Sequence, residues 1–164
     1  NNLGVYSFPN VVAGEHTASL VLTTLPEGYL PWDVPKKTFT VFEGIRFDLH
    51  FPLRAVRNVT GRVYMDENHN GNMEPAEKTL SDVRILLDKK AAGSDKDGWY
   101  LFDNLNQGSY EISLDNTSLP SGVTAVSVKR SLEMPAEPKT VADMNIPVTR
   151  KAVLGNMDQE EETV

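Results

Sequence analysis

Apolar and polar residues alternate over short stretches along most of the chain. In residues 61–65, Val63 and Met65 alternate with Arg62 and Tyr64. A period of two residues is that of a β-strand with one buried face. The same pattern predicts further strands over residues 83–87, 99–102, 109–114, 124–129 and 141–148. No segment has the period of an amphipathic helix, and residues 73–79 have room for only one helical turn.

Turn-forming residues separate these stretches. Asp97-Gly98 and Gln107-Gly108, for example, each lie between two predicted strands. Short strands at this spacing, bounded by glycine and proline, are typical of β-sandwiches and β-barrels. The chain is therefore predicted to be all-β.

The sequence also repeats itself. Residues 3–26 align with residues 97–120 at an offset of 94. The matching pairs include Gly4 and Gly98, Tyr6 and Tyr100, Phe8 and Phe102, Asn10 and Asn104, and Gly14 and Gly108. Residues 45–53 alternate between apolar and polar as residues 142–148 do, which predicts that both copies end in a strand of the same kind.

The first copy is shorter than the second at its front. Residues 58–96 have no counterpart in it. We interpret the chain as three segments: residues 1–57, the C-terminal part of a preceding β-sandwich repeat; residues 58–150, one complete unit; and residues 151–164, an acidic tail or the start of a next repeat. Val153-Leu154-Gly155 in that tail is similar to Val59-Thr60-Gly61.

The missing front strands should leave the sheet edges of the first copy exposed. We expect the first copy either to pack against the second or to recruit strands from a neighbouring molecule. The 151–164 tail is one candidate for such a strand.

Composition narrows the function classes. The 164 residues include no cysteine, which excludes disulfide scaffolds, cysteine-based zinc sites and thiol catalysis. The formal net charge of −7 argues against non-specific nucleic-acid binding, which needs a basic surface, and leaves cations as ligands. No apolar run approaches the roughly 20 residues of a membrane-spanning helix, so no direct membrane insertion is expected.

Residues 66–77 match the calcium-loop pattern D-x-N-x-N-G-x5-E. Calcium takes several hard oxygen ligands, and side chains at these loop positions can converge on one ion. Four acidic residues and no lysine or arginine lie in the loop, so a cation would relieve their repulsion. The candidate ligands are Asp66, Asn68, Asn70, Asn72 (through its backbone carbonyl), Glu74 and Glu77.

The flanks of this loop read as strands, which favours a calcium site between strands over an EF-hand. The alternative is a flexible Asn/Gly-rich loop without metal. A second acidic turn, Asp95-Lys96-Asp97-Gly98, is interpreted as an Asp-Gly hairpin. If the first two strands lay side by side, Asp95 or Asp97 could lean toward the ion.

Taken together, residues 59–122 resemble the SdrD B-like repeat family, which groups with the Cna-B and transthyretin-like (carboxypeptidase-regulatory-like, prealbumin-like) domains. The resemblance is carried by V-T-G-R-V-Y-M-D-E-N-H-N-G-N-M-E-P-A-E at 59–77, S-D-K-D-G-W-Y-L-F-D-N-L at 94–105 and L-P-S-G at 119–122. It implies a seven-strand Greek-key β-sandwich of immunoglobulin-like shape, in tandem arrays on bacterial surface or secreted proteins. It also implies that Asp66, Asn68, Asn70 and Glu77 are calcium ligands.

The resemblance leads us to expect a non-enzymatic structural or adhesive module, exported to the cell surface or secreted by a bacterium, and stiffened by calcium. Its partners would be adjacent repeats of the same chain and, in an adhesive role, a host or matrix protein or a carbohydrate. A Gram-positive and a Gram-negative setting are both open.

A hydrolase and a binding module are the alternative functions. A hydrolase would need convergent polar groups, whereas His16, His50 and His69 lie on different predicted elements and no catalytic motif is present. A carbohydrate- or peptide-binding accessory module of a larger secreted or outer-membrane protein could use Tyr29, Trp32 and Trp99 as an aromatic platform. Exposure of Trp32 beside Tyr29 would favour that alternative, and burial would favour a spacer.

Overall fold

The computed structural model describes residues 4–126 and 129–151. They divide into two compact units, unit 1 (Asn1–Val56) and unit 2 (Arg57–Val164). Residues 152–164 of the predicted tail lie outside the described residues, as do residues 127 and 128 of the predicted 124–129 strand. Apart from two single 3-10 turns, Leu22–Thr24 and Asn116–Ser118, the regular structure in the described part is all β, as predicted.

The described residues contain thirteen strands. In chain order these are β1 (Gly14–Ser19), β2 (Tyr29–Pro31), β3 (Lys36–Val41), β4 (Leu53–Ala55), β5 (Arg57–Met65), β6 (Arg84–Leu87), β7 (Lys90–Gly93), β8 (Trp99–Phe102), β9 (Gly108–Leu114), β10 (Val123–Ala125), β11 (Lys129–Met134), β12 (Lys139–Val141) and β13 (Ile146–Arg150).

Unit 2 is a sandwich of two sheets. In sheet I, β5 pairs with β8 antiparallel on one side and with β12 and β13 parallel on the other, and β10 pairs with β13. Sheet II has the antiparallel order β11-β9-β6-β7. The β-sandwich prediction is therefore confirmed, with nine short strands instead of the seven that the resemblance implies.

The alternating residues of both sheets meet in one core. Val59 and Val63 of β5 are fully buried, as are Ile85 and Leu87 of β6 and Val148 of β13. Each such side chain contributes about 1.5–3 kcal/mol to folding by leaving water. The whole cluster is Val59, Val63, Val83, Ile85, Leu87, Tyr100, Phe102, Leu105, Ile112, Leu114, Leu132, Met134, Ile146 and Val148.

Unit 1 is built from two antiparallel ribbons. β1 pairs with β3 from Gly14 opposite Val41 to Ser19 opposite Lys36, and β2 pairs with β4. Among residues 4–56, none is buried. The alternation of apolar residues in this unit therefore does not produce a closed core.

The two ribbons of unit 1 have counterparts in unit 2. The β1–β3 ribbon corresponds to β9–β11, in which Gly108 lies opposite Met134, and β2–β4 corresponds to β10–β13. Backbone angles recur as well: φ is 56° at Asn10 and 52° at Asn104, and the 3-10 turn recurs at the same offset.

The predicted strand over residues 45–53 is wrong for most of its length. Residues 45–52 form no strand, and only β4 at Leu53–Ala55 is present. In unit 2 the equivalent segment pairs with β5, and residues 4–56 contain no strand in that position. Alternating apolar residues form a strand only when a neighbouring strand accepts their backbone hydrogen bonds.

Three other predictions differ from the structure. The predicted 141–148 strand is interrupted between β12 and β13, and the region of the predicted 124–129 strand holds β10 and the start of a strand missed altogether, β11. The Asp97-Gly98 turn is not a hairpin, because it connects β7 of sheet II to β8 of sheet I. It is an inter-sheet turn closed by the Gly98 amide, which donates to the Asp95 carbonyl at 2.9 Å.

Candidate metal centre

The predicted calcium loop connects the two sheets of unit 2. It leaves β5 in sheet I at Asp66 and leads toward β6 in sheet II. The first two predicted strands therefore lie in opposite sheets and not side by side. A ligand that ordered this loop would act on a connection across the sandwich.

Asp66 holds the start of the loop. Its side chain is only 1% exposed, and its amide donates to the Val148 carbonyl at 2.9 Å. Its two carboxylate oxygens accept the backbone amides of Asn70 at 3.1 Å and Gly71 at 2.9 Å. These bonds coil the loop around the Asp66 carboxylate, and Gly71 takes the left-handed turn with φ of 74°.

The other candidate side chains close on one another. Glu74 accepts the side-chain amides of Asn68 and Asn70, each at 2.7 Å. Glu77 accepts the backbone amides of Glu67 at 3.3 Å and Glu74 at 3.0 Å. Glu74 is thus turned toward two of the asparagines, whereas Glu77 is turned toward the loop backbone.

Asn72 contributes to the loop through hydrogen bonds with Asn70. Its backbone amide donates to the Asn70 side-chain oxygen at 2.7 Å, and its own side chain donates to the Asn70 carbonyl at 3.3 Å. Within the described residues, no three His, Asp or Glu side chains form a group arranged to hold a metal. The candidate donor set is instead a mixture of carboxylate and amide oxygens, which are the hard ligands that suit calcium.

The negative charge of the loop acts on Tyr64, the residue two positions before Asp66. The Tyr64 side chain is fully buried and its hydroxyl has no hydrogen-bond partner. Burial raises the pKa of Tyr64 above its ordinary value, and the negative charges of Asp66 and Glu77 raise it further. Sequence reasoning missed Tyr64, because the alternation of residues 61–65 places it on the polar face of its strand.

A pocket of about 320 Å³ opens beside the start of the loop. Asp66, Glu67 and His69 line it together with Met65 and Arg150. Arg150 lies at the end of β13, so the sandwich brings a cation next to the acidic loop. The loop pattern could not predict this neighbour, because Arg150 is distant from residues 66–77 in the sequence.

Asp95 has a structural role in its own turn. One of its carboxylate oxygens accepts the backbone amides of Asp97 and Trp99, both at 2.9 Å. The turn also gains from the position of Gly98, where a Cβ atom would lie 2.6 Å from the Thr79 side chain. Asp95 therefore holds the connection between β7 and β8.

The remaining candidates lie apart from the loop or on its rim. His16 contacts the Val12 carbonyl at 2.7 Å, His50 is exposed, and His69 has φ of 60° on the exposed side of the loop. Trp99 belongs to β8, and the Arg62 guanidinium lies 4.1 Å from the centre of its ring. Trp32 is 69% exposed.

Residues 57–159 match the family model of the SdrD B-like domain. Serine-aspartate repeat-containing protein D of Staphylococcus aureus strain Newman is 28% identical over 145 residues, which are 76% of this chain and 11% of that protein. The same protein from strain MW2 is also 28% identical, over 10% of its length.

Two solved structures were also found to be similar. The Bacillus anthracis TIE protein matches with a TM-score of 0.46 and 16% identity, over 86% of this chain and 26% of that one. The minor pilin of Streptococcus agalactiae matches with a TM-score of 0.47 and 12% identity, over 80% of this chain and 64% of that one.

The chain belongs to the SdrD B-like domain family. Members of this family are non-enzymatic structural modules of surface proteins, in agreement with the expectation that the chain is not an enzyme. The chain spans about a tenth of the length of the curated relatives it matches. In the described part of the chain, no helix has the length and apolar character needed to cross a bilayer.

Proposed function

We propose that this SdrD B-like chain is a load-bearing spacer of a bacterial surface protein, and that calcium bound by residues 66–77 stiffens it. The coiling of the loop around the buried Asp66 carboxylate carries this proposal. The same backbone-to-aspartate bonds orient the first position of a calcium loop, and the residues that follow supply oxygen ligands at the required spacing.

The residues proposed to hold calcium are Asp66, Asn68, Asn70, Glu74 and Glu77 through their side-chain oxygens, and Asn72 through its carbonyl. Calcium would supply positive charge and would replace the hydrogen bonds that now join the asparagine amides to Glu74. The asparagine side chains would turn their oxygens toward the ion by rotation of the amide group.

The position of the loop gives calcium a mechanical role. Because the loop joins sheets I and II, ordering it would resist sliding of one sheet against the other. Binding to the folded unit alone would also stabilise that unit in proportion to the logarithm of calcium concentration. Asn68 and Asn70 bring less negative charge to the loop than aspartates would, so we expect a modest affinity for calcium.

The test is calcium titration by isothermal calorimetry with the full chain after chelation and dialysis. Glu77→Gln removes a carboxylate at the last loop position and should weaken calcium binding about tenfold or more. Glu67→Gln makes the same chemical change at an exposed loop position that has no assigned ligand role, and should keep the affinity within about twofold.

Equal losses in the two variants would mean that calcium only screens the loop charge, which contradicts the proposed ligand set. An absence of binding heat and of any calcium-dependent shift in the tryptophan fluorescence of the unmodified chain would contradict the calcium proposal altogether.

The similar proteins suggest the cellular location and the partners of this chain. We propose an exported chain at the cell surface, placed among adjacent repeats of the same protein. Serine-aspartate repeat-containing protein D is a protein of Staphylococcus aureus, a relationship that favours a Gram-positive setting. In an adhesive role, the whole array of repeats would bind a host or matrix protein.

A second candidate function is binding of a carbohydrate or peptide at Trp32. Its 69% exposure at the end of β2 favours it, since a large aromatic face left in water is typical of recognition sites. The described residues show no ring contact between Trp32 and Tyr29, so the platform would consist of Trp32 alone. Quenching of Trp32 fluorescence by an oligosaccharide panel, lost in Trp32→Ala, would support it.

A further inference from the structure

The loop of residues 66–77 contains the one Asn-Gly pair of the sequence, Asn70-Gly71. Every other asparagine is followed by a residue with a side chain. The backbone nitrogen that follows an asparagine can attack its side-chain amide, and a Cβ atom on the next residue shields that nitrogen. Glycine has no Cβ atom, so the side chain of Asn70 is the one that the following nitrogen reaches most easily.

The Asn70-Gly71 pair lies in open space. Both residues are exposed, and a Cβ atom at Gly71 would meet nothing within 4 Å. The Asp97-Gly98 turn differs, because Gly98 is buried and its amide donates to the Asp95 carbonyl at 2.9 Å. Water and a newly formed ring therefore have room at Asn70 and not at the other turn.

Three groups of the loop lie against the atoms of this pair. The Asp66 carboxylate accepts the Gly71 N–H at 2.9 Å, so a proton acceptor lies on the attacking nitrogen. The Asn72 amide donates at 2.7 Å to Oδ1 of Asn70, the oxygen on which negative charge develops during attack. Glu74 accepts the side-chain amide of Asn70 at 2.7 Å and so fixes the position of its Nδ2.

We propose that this loop modifies itself by deamidation of Asn70. A bond forms between the Gly71 nitrogen and Cγ of Asn70, while Asp66 takes up the proton of the Gly71 N–H. The bond from Cγ to Nδ2 then breaks, and Nδ2 leaves with the bonding electron pair and that proton as ammonia. Water adds to either carbonyl of the five-membered imide that remains, which yields aspartate or isoaspartate.

Asn68 provides a comparison within the same loop. Its side-chain oxygen accepts the amide two residues further on at 3.1 Å, and its Nδ2 donates to Glu74 at 2.7 Å. The residue that follows it, His69, also has a positive φ of 60°. The two sites therefore differ in the side chain of His69 and in the contact between Asp66 and the Gly71 amide.

The reaction would change the charge of the loop. It would add a fifth acidic residue to the four that residues 66–77 already contain. Because Asn70 is also a proposed ligand, the aspartate product would bring more negative charge to calcium, and this consequence alone rests on the proposed function. The deamidation itself needs only the loop and water.

The first test is peptide mapping by mass spectrometry of the full chain, sampled at successive times of incubation in EDTA at neutral pH. Asn70 should gain the mass of one amide-to-acid conversion and give both aspartate and isoaspartate, which is the signature of the ring. Asn68 and Asn72 are exposed in the same loop and should remain amides. Absence of isoaspartate at Asn70, or equal conversion of all three residues, would overturn the proposal.

The second test uses His69→Gly, which creates another Asn-Gly pair in the loop. Asp66 accepts the amides of residues 70 and 71, so within the described loop the amide of residue 69 lacks this acceptor. Asn68 should therefore react about tenfold more slowly than Asn70 in the same molecules. Equal rates at the two pairs would show that the dipeptide alone sets the rate, and would contradict the role of Asp66.

Calcium titration of the same preparations separates this inference from the proposed function. Deamidation of Asn70 in a chain that shows no calcium binding would contradict the proposed function and support the inference. Calcium binding by a chain whose Asn70 stays an amide throughout the EDTA incubation would support the proposed function and contradict the inference.

Discussion

The two units share a back-half sequence pattern but differ in whether it closes a core. Phe102 of unit 2 is 4% exposed and Phe8, its counterpart in unit 1, is 69% exposed. The ribbons that pair within the back half are present in both units. The described residues of unit 1 contain no counterpart of β5, the strand that unit 2 pairs on both edges. A single central strand therefore decides whether the same residues are core or surface.

The largest effect should come from comparing these two phenylalanines. Phe102→Ala should lower the free energy of unfolding of unit 2 by about 3–5 kcal/mol, because it leaves a cavity in the closed core. Phe8→Ala should change the stability by about 0.5 kcal/mol or less, since its ring is already in water. Urea unfolding followed by Trp99 fluorescence measures both. Similar losses would show that unit 1 has a core of its own.

A Cβ atom at Gly61 would lie 2.3 Å from the Met144 carbonyl oxygen, so Gly61→Ala should push β5 away from that carbonyl and destabilise unit 2. We expect a loss of about 3 kcal/mol, since backbone cannot yield as a side-chain end can. Gly93→Ala is the matched control, because a Cβ atom there meets nothing within 4 Å, and it should stay within about 0.5 kcal/mol. Urea midpoints of the two variants measure the difference, and a neutral Gly61→Ala would refute the close approach.

Tyr100→Phe removes the hydrogen bond that the Tyr100 hydroxyl donates to the Met144 carbonyl beside β5, and should lower the free energy of unfolding by about 1 kcal/mol at pH 7. The pH dependence is a sharper readout. Burial raises the pKa of Tyr100 above its ordinary value of about 10. A raised folded-state pKa gives stability that is present below pH 10 and is lost as pH rises through the folded value. Unfolding curves between pH 8 and pH 11 (about the ordinary tyrosine range) should fall less steeply for Tyr100→Phe. Parallel curves would contradict this.

The smallest effect should be at the 3-10 turn, where the units differ in the residue that precedes the turn. Asp115 caps the turn Asn116–Ser118 by accepting the Thr117 amide, whereas Val21 of unit 1 makes no such bond. The side-chain and backbone hydrogen bonds from Thr117 lower the pKa of Asp115. The cap therefore contributes above the ordinary carboxyl value of about 4 and is lost as pH falls through the folded value.

Asp115→Ala should accordingly lower the urea midpoint more at pH 7 than at about pH 2, because protonation of the carboxyl at low pH removes the charge of the cap. Val21→Asp should slow amide hydrogen exchange in residues 22–24 at pH 7, because it adds the missing cap. An equal effect of Asp115→Ala at both pH values would show that the charge of the cap has no role.

Much of the fold follows from the sequence because alternation and turn residues are local signals. The predicted strand over residues 99–102 coincides with β8, and the predictions over 83–87 and 109–114 differ from β6 and β9 by one residue at one end. β11 was missed because only Leu132 and Met134 alternate in it and Pro135 follows. The strand over 45–53 was predicted wrongly because alternation reveals an apolar face and not the presence of a partner strand.

The candidate site was predictable only in part. The spacing of residues 66–77 selects side chains that the fold does bring together, but it carries no information on sheet membership. Three features depend on pairing between distant residues: the loop crosses from sheet I to sheet II, Tyr64 is buried near its carboxylates, and Arg150 lies beside it. Calcium binding itself stays a prediction.

Differential scanning calorimetry of the full chain in calcium and in EDTA tests the central claim most directly. We expect one cooperative transition. A lower midpoint temperature in Phe102→Ala would assign this transition to unit 2. Calcium should raise its midpoint, and Asp66→Ala should abolish that rise while Glu67→Gln keeps it. Identical curves in calcium and EDTA for the unmodified chain would contradict the claim that calcium stiffens this module.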